Sequence, residues 1–123
     1  MPYNPPMARR IALVEDDSTI RQNYVDALTR AGYEVVAFGD RPSASRALSA
    51  RLPELAIIDI GLGADIDGGF QLCRELRSAS ARLPIIFLSA YFSLPAAALE
   101  LANAFITKGD PPDVLIEKIE QLV

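Results

Sequence analysis

The sequence contains no histidine and a single cysteine, Cys73. No internal disulfide can form, and zinc sites built from cysteine or histidine lack their ligands. The absence of histidine also excludes a Ser-His-Asp triad and a phosphohistidine on this chain. A metal site would therefore have to use oxygen ligands.

Other features with specific chemistry are also missing. No stretch approaches the ~20 apolar residues of a membrane-spanning helix, and no Gly-rich phosphate loop follows the first apolar run. The net charge of −4 and the lack of a Lys/Arg-rich arm argue against direct contact with nucleic acid. Residues 1–8 are Pro-rich and are interpreted as a loose leader, and residues 9–123 as one domain. We expect a cytoplasmic location and no membrane contact.

Five short apolar runs alternate with amphipathic segments along the chain. Several of these runs are continuously apolar, which is typical of strands covered on both faces. The alternation predicts an α/β fold, a doubly wound five-stranded parallel sheet with five helices. The predicted strands span residues 9–14, 33–38, 55–60, 83–88 and 104–107, and a helix follows each of them.

Polar residues lie at the ends of four of the five predicted strands. Glu15 and Asp16 follow the first strand, and Asp59, Ser89 and Lys108 lie at the ends of the third, fourth and fifth. Ligands of such sheets bind at the carboxyl ends of the strands. The sequence therefore predicts one pocket that contains three carboxylates, one hydroxyl and one ammonium group.

Three neighbouring carboxylates repel one another. Two unit charges ~4 Å apart cost on the order of 4 kcal/mol at an effective dielectric near 20. One carboxylate must take up a proton, or a cation must bind, and an all-oxygen site suits Mg²⁺. With a metal present, an aspartate could act as a nucleophile toward a phosphoryl group. Lys108 and Ser89 could then bind phosphoryl oxygens.

This set of residues, in this order, resembles the receiver domain of two-component response regulators over residues 9–123. The resemblance implies a flavodoxin-like receiver fold with strand order 2-1-3-4-5. It rests on Val14-Glu15-Asp16-Asp17 with Arg21, Ile57-Ile58-Asp59-Ile60, Asp67-Gly68, Ser89-Ala90 and Thr107-Lys108.

The resemblance also implies a role for each site residue. Asp59 would be the phosphoacceptor, and it would hold Mg²⁺ together with Glu15, Asp16 and the main-chain carbonyl of Gly61. Ser89 and Lys108 would bind the phosphoryl group, and Ser89 and the aromatic Phe105 would be the switch residues. The donor would be a phosphohistidine on a sensor histidine kinase.

Residues 57–77 more narrowly resemble the response regulators of proteobacterial dedicated sortase systems. Those regulators are similar to transcription regulators with a winged-helix output domain. The resemblance implies a phosphoacceptor rather than a turnover enzyme. It also implies a possible homodimer through the face of the fourth predicted helix, the fifth strand and the last helix.

Three departures from the family pattern leave an alternative open. The loop after Asp59 is longer than usual, and the interval from Ser89 to Lys108 is shorter. Gly109 stands where the family usually has a proline. The alternative is a receiver-like interaction module with impaired or absent phosphorylation. A flavodoxin-like cofactor binder or small phosphatase is disfavoured because the phosphate loop is missing.

Several neighbouring residues have simpler interpretations. Asp17 is assigned to helix capping, Cys73 to the core and Arg21 to the helix surface. A core aromatic without a switching role is the alternative for Phe105. Tyr91, two residues after Ser89, is a candidate for hindering attack by water on an acyl phosphate.

Overall fold

The computed structural model describes residues 9–60, 68–89 and 100–123. Five strands form one parallel sheet in the order β2-β1-β3-β4-β5. The predicted parallel sheet and its strand order are therefore confirmed. The strands are β1 (Arg10–Val14), β2 (Glu34–Phe38), β3 (Leu55–Asp59), β4 (Ile85–Ser89) and β5 (Ala104–Thr107).

Four helices lie within the described ranges, against five predicted from the sequence. The remaining predicted helix, over residues 93–102, falls mainly outside these ranges, and residues 100 and 101 are helical. None of the helices in the described part of the chain is long and apolar enough to cross a bilayer. The helices are α1 (Ser18–Arg30), α2 (Arg41–Ala50), α3 (Gly68–Ala79) and α4 (Pro112–Leu122).

The helices cover both faces of the sheet and form two apolar layers. In β3, Leu55 and Ile57 pack with α1 and α4, whereas Ala56 and Ile58 pack with α2 and α3. Successive side chains of a strand point to opposite faces. The continuous apolar runs of the sequence follow from this, because each residue of a central strand enters one of the two layers.

Aspartates are the N-cap residues of α1 and α2. Asp17 Oδ1 accepts hydrogen bonds from the amides of Thr19 and Ile20, both 2.9 Å long, and Asp40 Oδ1 accepts one from the amide of Ser43 at 2.8 Å. These bonds satisfy amide groups that have no partner within the helix. The prediction that Asp17 caps a helix is thereby confirmed.

Candidate functional site

Strand alternation brings three site residues to the same face of the sheet. Ile57 and Ile106 pack in the layer that contains α1 and α4. Asp59 and Lys108 each lie two positions further along the chain and so continue the same side of their strands. Glu15 continues β1 in the same way. The carboxyl edge of the sheet thus collects two carboxylates and one ammonium group against α1 and α4.

The Lys108 side chain connects these two carboxylates. Its Nζ lies 2.8 Å from Asp59 Oδ2 and 2.8 Å from Glu15 Oε1. Gly109 has φ +98°, a conformation that glycine adopts without strain, and the amide of Asp110 closes the turn on the carbonyl of Thr107. Lys108 therefore reaches the pocket although Gly109 replaces the usual proline.

Asp16 completes an acidic cluster with Glu15 and Asp59. The three side chains each offer a carboxylate oxygen, and these oxygens lie within 4.8 Å of one another. Asp16 is exposed, whereas Glu15 and Asp59 are buried. Among the described residues, the cluster faces solvent at Asp16, where an ion or a substrate could enter.

Burial and proximity separate the pKa values of the cluster. Burial and a hydrogen bond with Glu15 raise the pKa of Asp59 to about 8, although Lys108 opposes the shift. The slight burial of Asp16 is outweighed by hydrogen bonds with Glu15 and Asp59, so the pKa of Asp16 is lowered. Burial would lower the pKa of Lys108, but its hydrogen bond to Asp59 and its ion pair with Glu15 raise it. Without a cation, Asp59 holds a proton at neutral pH while Asp16 stays charged.

These residues fit a hard divalent cation. All the ligands that the cluster offers are carboxylate oxygens, which Mg²⁺ prefers. Glu15 Oε1 is buried, and its contact with Lys108 is an ion pair rather than an aligned hydrogen bond. Glu15, Asp16 and Asp59 would hold the cation; Gly61, the fourth predicted ligand, lies outside the described residues.

Ser89 is the buried last residue of β4. It follows Leu88, the register partner of Asp59. The carbonyl of Ser89 accepts a 2.7 Å hydrogen bond from the amide of Lys108, so the pairing of β4 with β5 continues up to the lysine. Ser89 therefore lies at the same edge of the sheet as Asp59 and Lys108, as expected from their positions at the ends of the predicted strands.

Phe105 belongs to the opposite layer of the core. It is half-buried, and its ring centroid lies 6.2 Å from that of Phe87. This contact accounts for its place in β5, and a switching role stays a prediction. Tyr91 and the segment after it lie outside the described residues.

The structure adds contacts for Arg21 that the sequence interpretation did not include. Its side chain does not simply cover the helix surface: Nη1 donates to the carbonyl oxygens of Glu15 at 2.8 Å and Asp16 at 3.5 Å. In the sequence, the only indication of these contacts was that Arg21 lies in the first turn of the predicted helix, just after three consecutive acidic residues. Arg21 thus contacts the backbone of two of the three acidic residues.

Arg77 was also missed, and it joins α3 to the beginnings of two strands. Its Nη2 donates to the carbonyl of Leu101 at 2.8 Å and to Asn103 Oδ1 at 2.9 Å. Asn103 Oδ1 also accepts from the amide of Ile85, at 2.9 Å. This network fixes the start of β5, the strand that leads to Lys108.

Replacing Arg77 by methionine is expected to lower the free energy of unfolding by about 2–4 kcal/mol, because several partly buried carbonyl groups lose their donor. Urea unfolding measures the loss. Arg74→Met, on the exposed side of α3, is the matched control. Equal stability of the two variants would contradict this role for Arg77.

Gly69 lets α3 approach the end of β3. A Cβ atom at this position would overlap the carbonyl oxygens of Asp59 and Ile60. The amide of Gly69 also donates to the carbonyl of Ile60 at 3.2 Å. The position of Asp59 therefore depends on a missing side chain in the first turn of α3.

Gly69→Ala is expected to destabilise the fold by about 1–3 kcal/mol, because two backbone groups must move to accommodate the methyl group. This loss exceeds the gain of about 1 kcal/mol from the higher helix propensity of alanine. Chemical unfolding measures it, with Ser78→Ala on the exposed side of α3 as control. A Gly69→Ala protein as stable as the wild type would contradict the close approach.

The strand order, the two helical layers and the acidic site at the carboxyl edge define a class of protein: flavodoxin-like α/β domains with a carboxylate-lysine pocket. Residues 11–120 match the family model of the response regulator receiver domain. The chain belongs to this family, and the resemblance inferred from the motifs is confirmed.

Curated relatives and solved structures agree with this membership. The transcriptional regulatory protein CseB of Streptomyces avermitilis is 34% identical over 117 residues, which are 92% of this chain and 48% of CseB. The virulence transcriptional regulatory protein PhoP of Salmonella typhimurium is 37% identical over 81 residues, 66% of this chain and 35% of PhoP. The chain therefore spans about half the length, or less, of these relatives.

A CheY-like response regulator receiver domain protein from Methanospirillum hungatei superposes with a TM-score of 0.85 at 28% identity. The match covers 94% of this chain and 93% of that chain. The narrower resemblance to sortase-system regulators is not tested by these relatives and stays a prediction.

Proposed function

We propose that this domain accepts a phosphoryl group on Asp59 from a phosphohistidine of a sensor histidine kinase. The observation that carries the proposal is the position of Lys108, whose Nζ lies 2.8 Å from Asp59 Oδ2 within the acidic cluster. Nothing in a purely structural site requires three carboxylates and a lysine at the ligand-binding edge of the sheet. The domain's membership of the receiver family supports the same conclusion.

The transfer requires the ionised form of Asp59. A carboxylate oxygen attacks phosphorus, the bond from phosphorus to the histidine nitrogen breaks, and that nitrogen keeps the electron pair. The product on this chain is an acyl phosphate. Because the pKa of Asp59 is raised to about 8, a proton must leave the cluster before attack. Bound Mg²⁺ would supply the positive charge that favours this ionisation and would neutralise charge on the phosphoryl oxygens.

Lys108 and Ser89 would receive the transferred group. Lys108 already contacts Asp59, so its ammonium group can move from the carboxylate to a phosphoryl oxygen without a large displacement. The Ser89 hydroxyl would donate to another oxygen. Both residues adjoin the β4–β5 edge, so a change in their bonding would bias the packing around Phe105 and β5.

The proposed role of the domain is signalling rather than turnover. Phosphorylation would alter the face formed by the predicted helix over residues 93–102, β5 and the last helix, α4. Two copies of the domain could pair through this face. CseB and PhoP are named as transcriptional regulators. We therefore propose that a cytoplasmic output domain outside this chain controls transcription, and that this domain itself does not contact DNA.

Incubation with acetyl phosphate and Mg²⁺ tests the proposal. Intact-mass measurement should show a gain of one phosphoryl group in the wild type, no gain in Asp59→Asn, and no gain after Mg²⁺ is chelated. Asp113→Asn, which removes an exposed acid from α4, should behave like the wild type. If the wild type gains no mass, the proposal fails and the receiver-like interaction module is favoured.

A further inference from the structure

The side chain of Arg21 extends from α1 toward two turns. One contains Glu15 and Asp16 and follows β1, and the other contains Gly39 and follows β2. Arg21 Nη1 donates to the Glu15 carbonyl at 2.8 Å and approaches the Asp16 carbonyl at 3.5 Å. The residue is half-buried, so these contacts are only partly exchanged with water. A hydrogen bond from a charged donor to a carbonyl oxygen is stronger than one from a neutral donor.

Gly39 provides the space for this guanidinium. A Cβ atom at Gly39 would lie 2.9 Å from Arg21 Nη1 and 3.5 Å from its Cζ. Within the described residues, the glycines with positive φ are Gly32 and Gly109. The backbone of Gly39 is thus accessible to any residue, and the reason for glycine is the close passage of Arg21.

The backbone of Glu15 is consequently held from two sides. Its amide donates to the carbonyl of Phe38 at 3.0 Å, and its own carbonyl accepts from Arg21. The carboxylate in turn accepts from the amide of Asp17 at 3.3 Å. Fixing the peptide groups at Glu15 and Asp16 also fixes the direction in which both carboxylates leave the main chain.

We propose that Arg21, lodged against Gly39, is a positioning residue for the divalent-cation site. It acts by holding the carbonyl groups of Glu15 and Asp16, so that their carboxylates converge with Asp59 before the cation arrives. The guanidinium contacts neither the cation nor the phosphoryl group. The inference rests on the cation site of the proposed function and is independent of phosphoryl transfer.

Calorimetric titration of the whole chain with Mg²⁺ tests this role. Arg21→Ala is expected to weaken Mg²⁺ binding about tenfold, as is typical when a residue that orients metal ligands is removed. Gly39→Ala should weaken it by a smaller factor, because the added methyl group pushes aside the end of a flexible guanidinium side chain and leaves its charge in place. Arg21→Lys should give an intermediate value, since it keeps the charge but loses the planar fork.

The double variant Arg21→Ala/Gly39→Ala should bind Mg²⁺ no more weakly than Arg21→Ala alone, because the two residues act through one contact. Arg30→Ala, at the exposed end of α1, is the charge-matched control and should bind like the wild type. Urea unfolding of each metal-free variant separates a positioning role from a merely structural one.

Each remaining outcome overturns a specific statement. Reduced stability with unchanged Mg²⁺ affinity would make Arg21 structural and refute the positioning role. A wild-type protein that does not bind Mg²⁺ would refute the cation site itself and this inference with it. If the wild type binds and Arg21→Ala binds equally well, only the inference on Arg21 fails.

Discussion

Replacing Asp59 by asparagine is expected to raise the free energy of unfolding of the metal-free protein by about 2 kcal/mol at pH 8. Each unit of pKa shift corresponds to about 1.4 kcal/mol. The full shift in the pKa of Asp59, from 3.8 to about 8, would correspond to a larger gain in the free energy of unfolding. Solvent that reaches the cluster at Asp16 screens the charges and reduces this gain. Asparagine keeps the size of the side chain and removes the unfavourable charge.

The pH dependence of this gain has a definite sign. In the unfolded chain Asp59 ionises near 3.8, whereas in the folded protein it holds its proton up to about 8. Between these values the folded state binds more protons than the unfolded state, so the stability of the wild type falls as pH rises. Asparagine does not titrate. The advantage of the variant should therefore be small near pH 4 and complete above about pH 8.

Urea unfolding in the presence of a chelator, repeated across this pH range, measures the effect. Asp113→Asn controls for the loss of one negative charge elsewhere on the domain. Two results would contradict the burial of Asp59 among repelling carboxylates. One is an Asp59→Asn protein that is less stable than the wild type at pH 8, and the other is a gain in stability that shrinks as pH rises.

Lys108→Met is expected to have the opposite effect and to lower the free energy of unfolding by about 3 kcal/mol at pH 8. The lysine is the cation within 2.8 Å of both Glu15 and Asp59. Removing one partner of a buried ion pair leaves uncompensated charge, which typically costs about 3–5 kcal/mol. The loss should grow as pH rises above about 8, because the wild type then ionises Asp59 beside the lysine, whereas the variant without this cation keeps Asp59 protonated.

Lys118→Met on α4 is the matched control for this measurement, since it removes the same chemical group away from the pocket. The same urea titrations compare both variants with the wild type. If Lys108→Met were no less stable than Lys118→Met at pH 8, the ion pairs of Lys108 would not contribute to the fold.

Much of the site could be predicted from the sequence because it follows from strand alternation. Apolar runs that enter two layers identify the parallel strands, and polar residues directly after them must lie at the ligand-binding edge. This reasoning placed Asp59 and Lys108 together although they are 49 positions apart in the chain. The capping role of Asp17 was also predictable, because it depends on local sequence alone.

The contacts of Arg21 and Arg77 could not be predicted in the same way. Each depends on how closely a helix approaches a turn, which no residue pattern encodes. Gly39 and Gly69 show the same limit, since the close contact at each glycine is with a residue of another structural element. The sequence did not show whether the Arg21 side chain extends into solvent or contacts the backbone of the acidic residues that precede α1.

Borohydride reduction of the phosphorylated protein tests most directly whether Asp59 is the phosphoacceptor. The reagent converts an aspartyl phosphate to homoserine, which peptide mapping by mass spectrometry then locates. After incubation with acetyl phosphate and Mg²⁺, we expect homoserine at position 59 and unmodified aspartate at positions 16 and 17. Homoserine at another position, or none in a protein that has gained a phosphoryl group, would contradict the assignment of Asp59.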